Sequence, residues 1–231
     1  MGRKRKISAG KACLWAVITA GMVLPAKAAS IPVFNTGVVS QTPVALAGDG
    51  AVDSHYTLIA SADPSAPGPN AYVAGPDGVF PIPPWLPSGP DSKWISPWVS
   101  AATNALAGTY TYRTSFDLVG LDPSTAVLTG RWAADNSGVV FLNGAPLAVR
   151  TGTFDAWSPF TMSSGFVAGL NTLDFVVSNA PGRSGNPTGL RVEIGGVADL
   201  AVPEPPTSLL IALALFGIGS YSGVRKQGRK L

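Results

Sequence analysis

Apolar and polar residues alternate over short stretches between residues 29 and 202, as they do in β-strands that bury one face. In the clearest stretch, 110–118, the residues predicted to face inward are Tyr110, Tyr112, Thr114, Phe116 and Leu118. The same alternation occurs in 172–178 and 190–194, and further candidate strands are 56–60, 126–134, 138–142, 146–151 and 157–163. No convincing helical period occurs in this part of the chain.

The dipeptide Asn143-Gly144 separates two of these candidate strands. Asparagine and glycine tolerate the positive φ angles of a type I′ turn, so the pair predicts a β-hairpin. Short strands at regular spacing, separated by such turns, are typical of antiparallel sandwiches. We therefore expect an all-β fold, an antiparallel β-sandwich over residues 53–198, preceded by an N-terminal lead-in at 29–52.

The segment 61–97 interrupts this pattern with ten prolines. Proline lacks the backbone donor that a sheet ladder needs, so the segment is predicted to be a long loop rather than sheet. It contains Trp85 and Trp94, and Trp98 follows directly. Long loops inside compact domains are often functional, which makes this segment a candidate for ligand binding.

Residues 1–28 have the organisation of a secretory signal peptide with an apolar helix. Basic residues up to Lys11 precede the apolar stretch 12–24, and Ala26-Lys27-Ala28 forms a small-x-small cleavage site. The alternative, an uncleaved anchor, is disfavoured because about thirteen apolar residues are short for a span. The only cysteine, Cys13, lies in this stretch, so the mature chain is predicted to start at Ala29 without a disulfide or a thiolate metal site.

The C-terminal region has three parts: a linker at 199–208, an apolar segment at 209–224 and a basic tail at 225–231. An apolar segment followed by cations predicts a transmembrane helix, slightly shorter than the roughly 20 residues of a full span. A plain single-span anchor with a proline linker is one interpretation.

The order of Pro203, Glu204 and Pro205, the apolar segment and the terminal cations also resembles the PEP-CTERM sorting signal. The resemblance implies export from a Gram-negative bacterium through a secretion translocon and signal peptidase. It also implies transient anchoring in the inner membrane and recognition by an exosortase-type membrane protease near the Pro-Glu-Pro sequence. The protein would then be transferred to the cell surface or to an extracellular biofilm matrix.

The formal net charge of +3 arises from the chain ends. Between residues 29 and 202, six cations stand against twelve acids, which leaves a net charge near −6. An acidic domain without a basic stripe argues against a nucleic-acid partner. The basic ends instead match the positive-inside rule for a protein whose middle part is exported.

The run from Gly130 to Gly144, together with the strands around 93–96 and 110–118, resembles the galactose-binding-like jelly rolls over residues 53–198. The resemblance implies a jelly-roll topology. It leaves the ligand open, because carbohydrate-binding modules share this fold with many domains that bind no sugar.

Sugar recognition requires an aromatic platform for the apolar face of the ring and polar groups for its hydroxyls. The candidate platforms are Trp85, Trp94, Trp98 and Trp157, and the candidate polar residues in predicted loops are Asp135, Asn136, Asn179, Arg183 and Asn186. The alternative for each tryptophan is packing, and this is the expected role of Trp132, which lies in mid-strand.

Catalysis and metal binding have weaker support in the sequence. The only histidine is His55, no Gly-x-Ser-x-Gly elbow occurs, and the only glutamates are Glu193 and Glu204, so we expect no enzyme and no zinc site. A secreted hydrolase with paired aspartates stays open. Structural calcium is the one cofactor considered, through Asp53 and Glu193 if the terminal strands pair, although solvated carboxylates are the alternative.

The sequence thus predicts an exported protein with two competing functions. The first is a non-catalytic binding module, with exopolysaccharide as its partner. The second is a structural matrix component without a small-molecule site. Exposed tryptophans beside loop Asn and Asp would favour the first, and buried tryptophans would favour the second.

Overall fold

The computed structural model describes residues 27–151, 153–182 and 186–202. Residues 1–26 of the predicted signal peptide, the Pro203-Glu204-Pro205 sequence, the apolar segment 209–224, the basic tail and Arg183 lie outside the described residues. Within those three ranges, no helix is long and apolar enough to cross a membrane. The strands that they contain are β1 (Ala28–Ser30), β2 (Val38–Gln41), β3 (Val44–Leu46), β4 (Val52–Ala60), β5 (Asn70–Val73), β6 (Ile95–Ser96), β7 (Gly108–Asp117), β8 (Val127–Asp135), β9 (Ser137–Leu142), β10 (Ala145–Thr151), β11 (Ser158–Met162), β12 (Leu170–Asn179) and β13 (Gly189–Asp199).

All pairings are antiparallel. The main sheet has the order β10-β9-β12-β7-β4-β5-β6-β13-β8-β11, β1 pairs with β13, and β2 and β3 form a separate hairpin. The sheet curls so that its two halves face each other, because Trp132 of β8 packs against Phe175 of β12 with ring centroids 5.5 Å apart. The predicted all-β antiparallel fold is therefore confirmed.

The predicted alternation in 110–118 is also confirmed. Tyr110, Tyr112 and Phe116 are buried in the main core, whereas Thr109 and Ser115 on the opposite side are exposed. The same holds for β12, where Leu173, Phe175 and Val177 face inward. The alternating sequence pattern of these strands therefore reflects the burial of one face of each strand.

The Asn143-Gly144 hairpin forms as predicted between β9 and β10, with φ angles of 51° and 79°. The Asn143 amide donates to the Gly165 carbonyl at 3.0 Å and to Asn171 Oδ1 at 2.9 Å. This side chain therefore also ties the turn to the neighbouring loop.

The segment 61–97 is not a plain loop, which corrects the prediction. It contributes β5 and β6, and these short strands connect β4 to β13 within the sheet. Neither strand contains a proline, so both keep their backbone donors. The lead-in 29–52 likewise contributes secondary structure, since β1 joins the main sheet and Ile31 and Val33 belong to the core.

Between β5 and β6, the proline-rich chain crosses the outer face of β8 and builds a second, smaller core. Trp85 and Trp94 lie there with ring centroids 4.5 Å apart, above Ala133. Gly189 makes this approach possible, because a Cβ at that position would lie 2.6 Å from the Trp85 ring.

The direction of β13 defines two ends of the sandwich. Its start, Gly189, lies opposite Asp135, and its end, Asp199, lies opposite Ala28. We call the end formed by the loops 61–69 and 97–107 and by the described loop residues 180–182 and 186–188 the distal pole. The opposite end, formed by the loops 118–122, 143–144, 163–169 and 200–202, is called the terminal pole, because both ends of the described chain lie there.

A candidate ligand-binding groove at the distal pole

A groove of about 410 Å³ opens at the distal pole between the loop after β4 and the loop after β6. Trp98 and Tyr72, both half-buried, supply its aromatic surface. The remaining lining residues are small, apolar or neutral polar: Ser65, Ala66, Pro67, Gly68, Asn70, Pro97, Val99, Ser100 and Thr103. The groove therefore combines two aromatic rings with hydroxyl and amide groups, and its lining carries no charged side chain.

Trp98 is held in place by the strand that precedes it. Ser96, the last residue of β6, donates its hydroxyl to the Trp98 carbonyl at 2.6 Å and accepts from the Trp98 backbone N–H at 3.3 Å. On its inner side, the indole packs against Tyr110 of β7 at 6.3 Å between ring centroids. A ring fixed in this way loses little conformational entropy on binding a ligand, which suits a platform.

Neutral polar groups surround the two rings. The Asn70 amide donates to the Tyr72 hydroxyl at 3.3 Å, and both residues belong to the edge of β5 at which the groove begins. The Ser65 hydroxyl donates to the Asp63 carboxylate at 2.7 Å, and this hydrogen bond lowers the pKa of Asp63. The polar groups available to a ligand are therefore hydroxyls and an amide, not ions.

Trp85 and Trp94 do not form platforms, which corrects the sequence-based hypothesis for these two residues. They are 2% and 0% exposed, and their indole N–H groups donate to Asp135 Oδ2 and to the Leu86 carbonyl, each at 2.8 Å. Both indole rings are packed inside the second core, so neither presents a face to a ligand. Trp132 is buried in the main core, as predicted.

Asp135 lies beneath the distal pole and is only 4% exposed. It is therefore not accessible to a ligand, in contrast to the sequence-based prediction. Its Oδ2 accepts from Trp85, but its Oδ1 has no hydrogen-bond partner among the described residues. Burial raises the pKa of Asp135 to about 6, and the hydrogen bond from Trp85 opposes only part of this effect. The carboxyl group therefore belongs to the packing of the second core.

The three predicted asparagines do gather at the distal pole, but they hold the backbone there. Asn136 Oδ1 accepts from the Ala180 N–H at 2.7 Å, and the Asn186 amide donates to the Ala180 carbonyl at 2.9 Å. The Asn179 amide donates to the Ala105 carbonyl at 3.3 Å. These contacts brace the loops behind the groove rather than present amides to a ligand.

Trp157 lies away from the groove, on the outer face of β8 and β13. The guanidinium groups of Arg131 and Arg191 lie 4.6 and 4.7 Å from its ring centroid. Two cation–π contacts on a half-buried indole give it a structural role at the rim of the second core. A second groove of about 440 Å³ lies nearby, with Arg131, Glu193 and Asp91 in its lining.

Asp53 and Glu193 are not brought together, because β5 and β6 separate β4 from β13 in the sheet. Asp53 accepts three backbone N–H groups, from Gly37, His55 and Tyr56, at 2.7 to 2.8 Å. Glu193 is paired with Arg131 at 2.7 Å and accepts from Ser92 at 2.8 Å. Among the described residues, no cluster of three His, Cys, Asp or Glu approaches a metal geometry.

Of the residues that line this groove, the sequence-based candidates included Trp98 but not Tyr72 or Asn70. Their signal was present, since the run Asn70-Ala71-Tyr72-Val73 alternates polar and apolar residues and contains no proline. The flanking prolines concealed this short strand. Ser100 and Thr103 carry no comparable signal.

No family model matches this sequence, and the comparison with curated proteins found no match. Among solved structures, the chain is similar to the CBM35 from Paenibacillus barcinonensis, with 14% sequence identity and a TM-score of 0.32. The similarity covers 61% of this chain and 92% of that chain.

Proposed function

We propose that this protein is an exported, non-catalytic module that binds uncharged polysaccharide in the distal groove. The observation that carries the proposal is the pairing of Trp98 with Tyr72 in a groove lined only by neutral side chains. Aromatic faces cover the C–H surface of a pyranose, and neighbouring hydroxyls and amides exchange hydrogen bonds with its hydroxyls.

The size and charge of the groove restrict the ligand. A volume of about 410 Å³ lies within the range of small-molecule sites and accommodates a short stretch of sugar chain. Because its lining supplies no cation, it offers no compensation for burying a carboxylate or a sulfate. Neutral chains are therefore the proposed class, and acidic polysaccharides are expected to bind more weakly.

The absence of catalysis is also part of the proposal. The groove lining contains neither a carboxylate nor a histidine, whereas glycoside hydrolysis uses a pair of carboxylates. His55, the candidate base, instead stacks on Phe34 with ring centroids 3.7 Å apart. A jelly-roll assignment for the curled sheet belongs to the same proposal.

Export and sorting are proposed from the sequence. The signal peptide, the Pro203-Glu204-Pro205 sequence and the apolar segment 209–224 imply translocon, signal peptidase and exosortase as partners. The domain would be anchored in the inner membrane at first and would then reach the cell surface or the biofilm matrix. Both ends of the described chain leave from the terminal pole, which is compatible with a groove that faces away from the membrane.

The test is a binding measurement on residues 29–202 with immobilised mannan, xylan and the exopolysaccharide of the bacterium that produces the protein. Trp98→Ala should weaken binding by about 2 kcal/mol, more than tenfold in Kd, because a central aromatic contact is lost. Tyr72→Phe tests the hydroxyl alone. Phe80→Ala, an exposed aromatic outside the groove, is the matched control and should bind like the parent.

A structural matrix role is the second candidate, favoured by the burial of Trp85, Trp94 and Trp132. Thermal melts will confirm that each variant is folded. If the folded parent binds none of the polysaccharides, or if Trp98→Ala and Phe80→Ala bind equally, the groove is not a sugar site and the matrix role is preferred.

A further inference from the structure

The terminal pole exposes an unusual number of large aliphatic side chains. Val119, Leu170 and Val202 are 77%, 65% and 81% exposed, and Val167 and Leu200 are also exposed. We refer to these five residues as the terminal apolar surface. Clustered aliphatic exposure, in contrast to single exposed residues, indicates a surface that contacts a partner.

Backbone hydrogen bonds join the loops that carry these residues. The Leu118 N–H donates to the Gly169 carbonyl at 2.9 Å, and the Ala201 N–H donates to the Gly120 carbonyl at 2.9 Å. Leu121 and Leu200 also form an isolated β-bridge. The three loops 118–122, 167–170 and 200–202 therefore present their side chains as parts of one fixed end of the sandwich.

The sequence that follows identifies the partner. Only six residues, 203–208, separate Val202 from the apolar segment 209–224. A fully extended chain of six residues spans about 20 Å at most. When the apolar segment is inserted in a bilayer, the terminal pole is therefore held within about 20 Å of the membrane surface.

We propose that the terminal apolar surface rests on the lipid bilayer while segment 209–224 is inserted, so that the sandwich stands upright with its groove directed outward. The inference rests on the membrane-anchored stage of the proposed function. The ten-residue strand β12 runs between the poles, so the groove lies about 30 Å from the lipid.

The charges at this pole specify the kind of lipid. Asp117 and Asp122 carry negative charge beside the apolar residues, and their carboxylates accept backbone N–H groups of Val119 and Ser124 at 2.8 and 2.9 Å. Lys27, whose carbonyl accepts from the Leu200 N–H, belongs to the predicted signal peptide and would be absent from the mature chain. An acidic rim favours zwitterionic over anionic headgroups, so the contact is hydrophobic rather than electrostatic.

The test uses residues 29–231, the predicted mature chain with its apolar segment, in nanodiscs of zwitterionic phosphatidylcholine. Because these residues contain no cysteine, an environment-sensitive fluorophore is placed directly at Val119→Cys or Leu170→Cys. Leu106→Cys is the matched control, because Leu106 is a similarly exposed leucine (53%) at the distal pole. Some of the phosphatidylcholine carries a nitroxide in its headgroup region as a quencher.

We expect the probes at positions 119 and 170 to be quenched at least twofold more than the probe at 106. Equal quenching at the three positions, in chains that remain in the nanodisc, overturns this inference but not polysaccharide binding. If the fluorescence emission of the probe at position 119 is already shifted in the absence of lipid, the bilayer is not the partner. That result overturns the inference in favour of a second copy of the chain or another protein. If residues 29–231 do not insert into nanodiscs, both this inference and the proposed anchored stage fail.

Discussion

Replacing Asp135 by asparagine tests whether this residue is a buried packing element, as the structure shows, rather than a ligand contact. The side chain is 4% exposed, and only its Oδ2 has a partner among the described residues, the Trp85 indole N–H at 2.8 Å. Asparagine has the same shape and can accept the same hydrogen bond through its amide oxygen. The substitution therefore removes the charge and leaves the packing in place.

The magnitude follows from the pKa of Asp135, which burial raises to about 6. Below about pH 3, the carboxyl is protonated in both the folded and the unfolded states and does not contribute to the pH dependence of stability. As the pH rises to 6, the unfolded state ionises first and the folded domain loses stability. Above pH 6 the loss levels off at about 3 kcal/mol, since folding raises this pKa by roughly two.

The substitution Asp135→Asn also introduces a cost of about 1 kcal/mol, because the new amide N–H groups occupy the position of the unpartnered Oδ1. The variant should thus be slightly less stable than the parent at pH 4 and more stable by about 2 kcal/mol at pH 8. Urea unfolding of residues 29–202, followed by tryptophan fluorescence between these pH values, measures both. Asp117→Asn, which alters an exposed carboxyl, serves as the control.

The reasoning would be refuted if Asp135→Asn changed the free energy of unfolding equally at pH 4 and pH 8. Polysaccharide binding gives an independent readout, since a packing role predicts an unchanged Kd at a pH where both proteins are folded. A large loss of binding with unchanged stability would restore Asp135 as a ligand contact.

Further predictions concern the second core and its rim. Gly189→Ala should destabilise the domain by roughly 1–3 kcal/mol, because its Cβ would lie 2.6 Å from the Trp85 indole. Gly195→Ala is the control, since a Cβ there would enter open space. The urea midpoints of unfolding of the two variants measure the difference. Glu193→Gln should lower the free energy of unfolding by about 3 kcal/mol, because it leaves the buried Arg191 guanidinium without its carboxylate partner. Arg131→Gln should lower it by less than about 1 kcal/mol, because the Arg131 side chain is 49% exposed. Equal destabilisation by these last two variants would show that burial of Arg191 does not determine the cost.

Much of the strand pattern is predictable because these strands bury one face along their length. In β7 and β12 the alternation of inward and outward side chains extends over ten residues each, and this signal is visible without knowledge of the partner strand. The short strands β5 and β6 are too brief for such a signal to stand out from the surrounding prolines. Their hydrogen bonds depend on partners in β4 and β13, so only the assembled sheet defines them.

The candidate site was predictable only in part, because the sequence around its tryptophans lacks the alternation that identifies β7 and β12. Trp85, Trp94 and Trp98 occur in one proline-rich context with no period that distinguishes an inner from an outer face. The structure separates them, since Trp85 and Trp94 fall where the chain crosses the outer face of β8, and Trp98 falls just beyond β6. This difference arises from the path of the backbone over a distant strand, which composition does not encode.

The proline-rich segment is then best understood as the support of the groove. Trp85 and Trp94 fix the chain to the outer face of β8, and the same chain enters the sheet as β6 immediately afterwards, where Ile95 pairs with Leu190. Two residues beyond this strand, the backbone turns outward at Trp98. Because Trp94 immediately precedes β6, the packing of the two buried tryptophans adds to the strand pairings that position β6 and, beyond it, Trp98. A site that recognises sugar by one fixed ring needs such a rigid base, since any freedom of the platform would be lost again on binding.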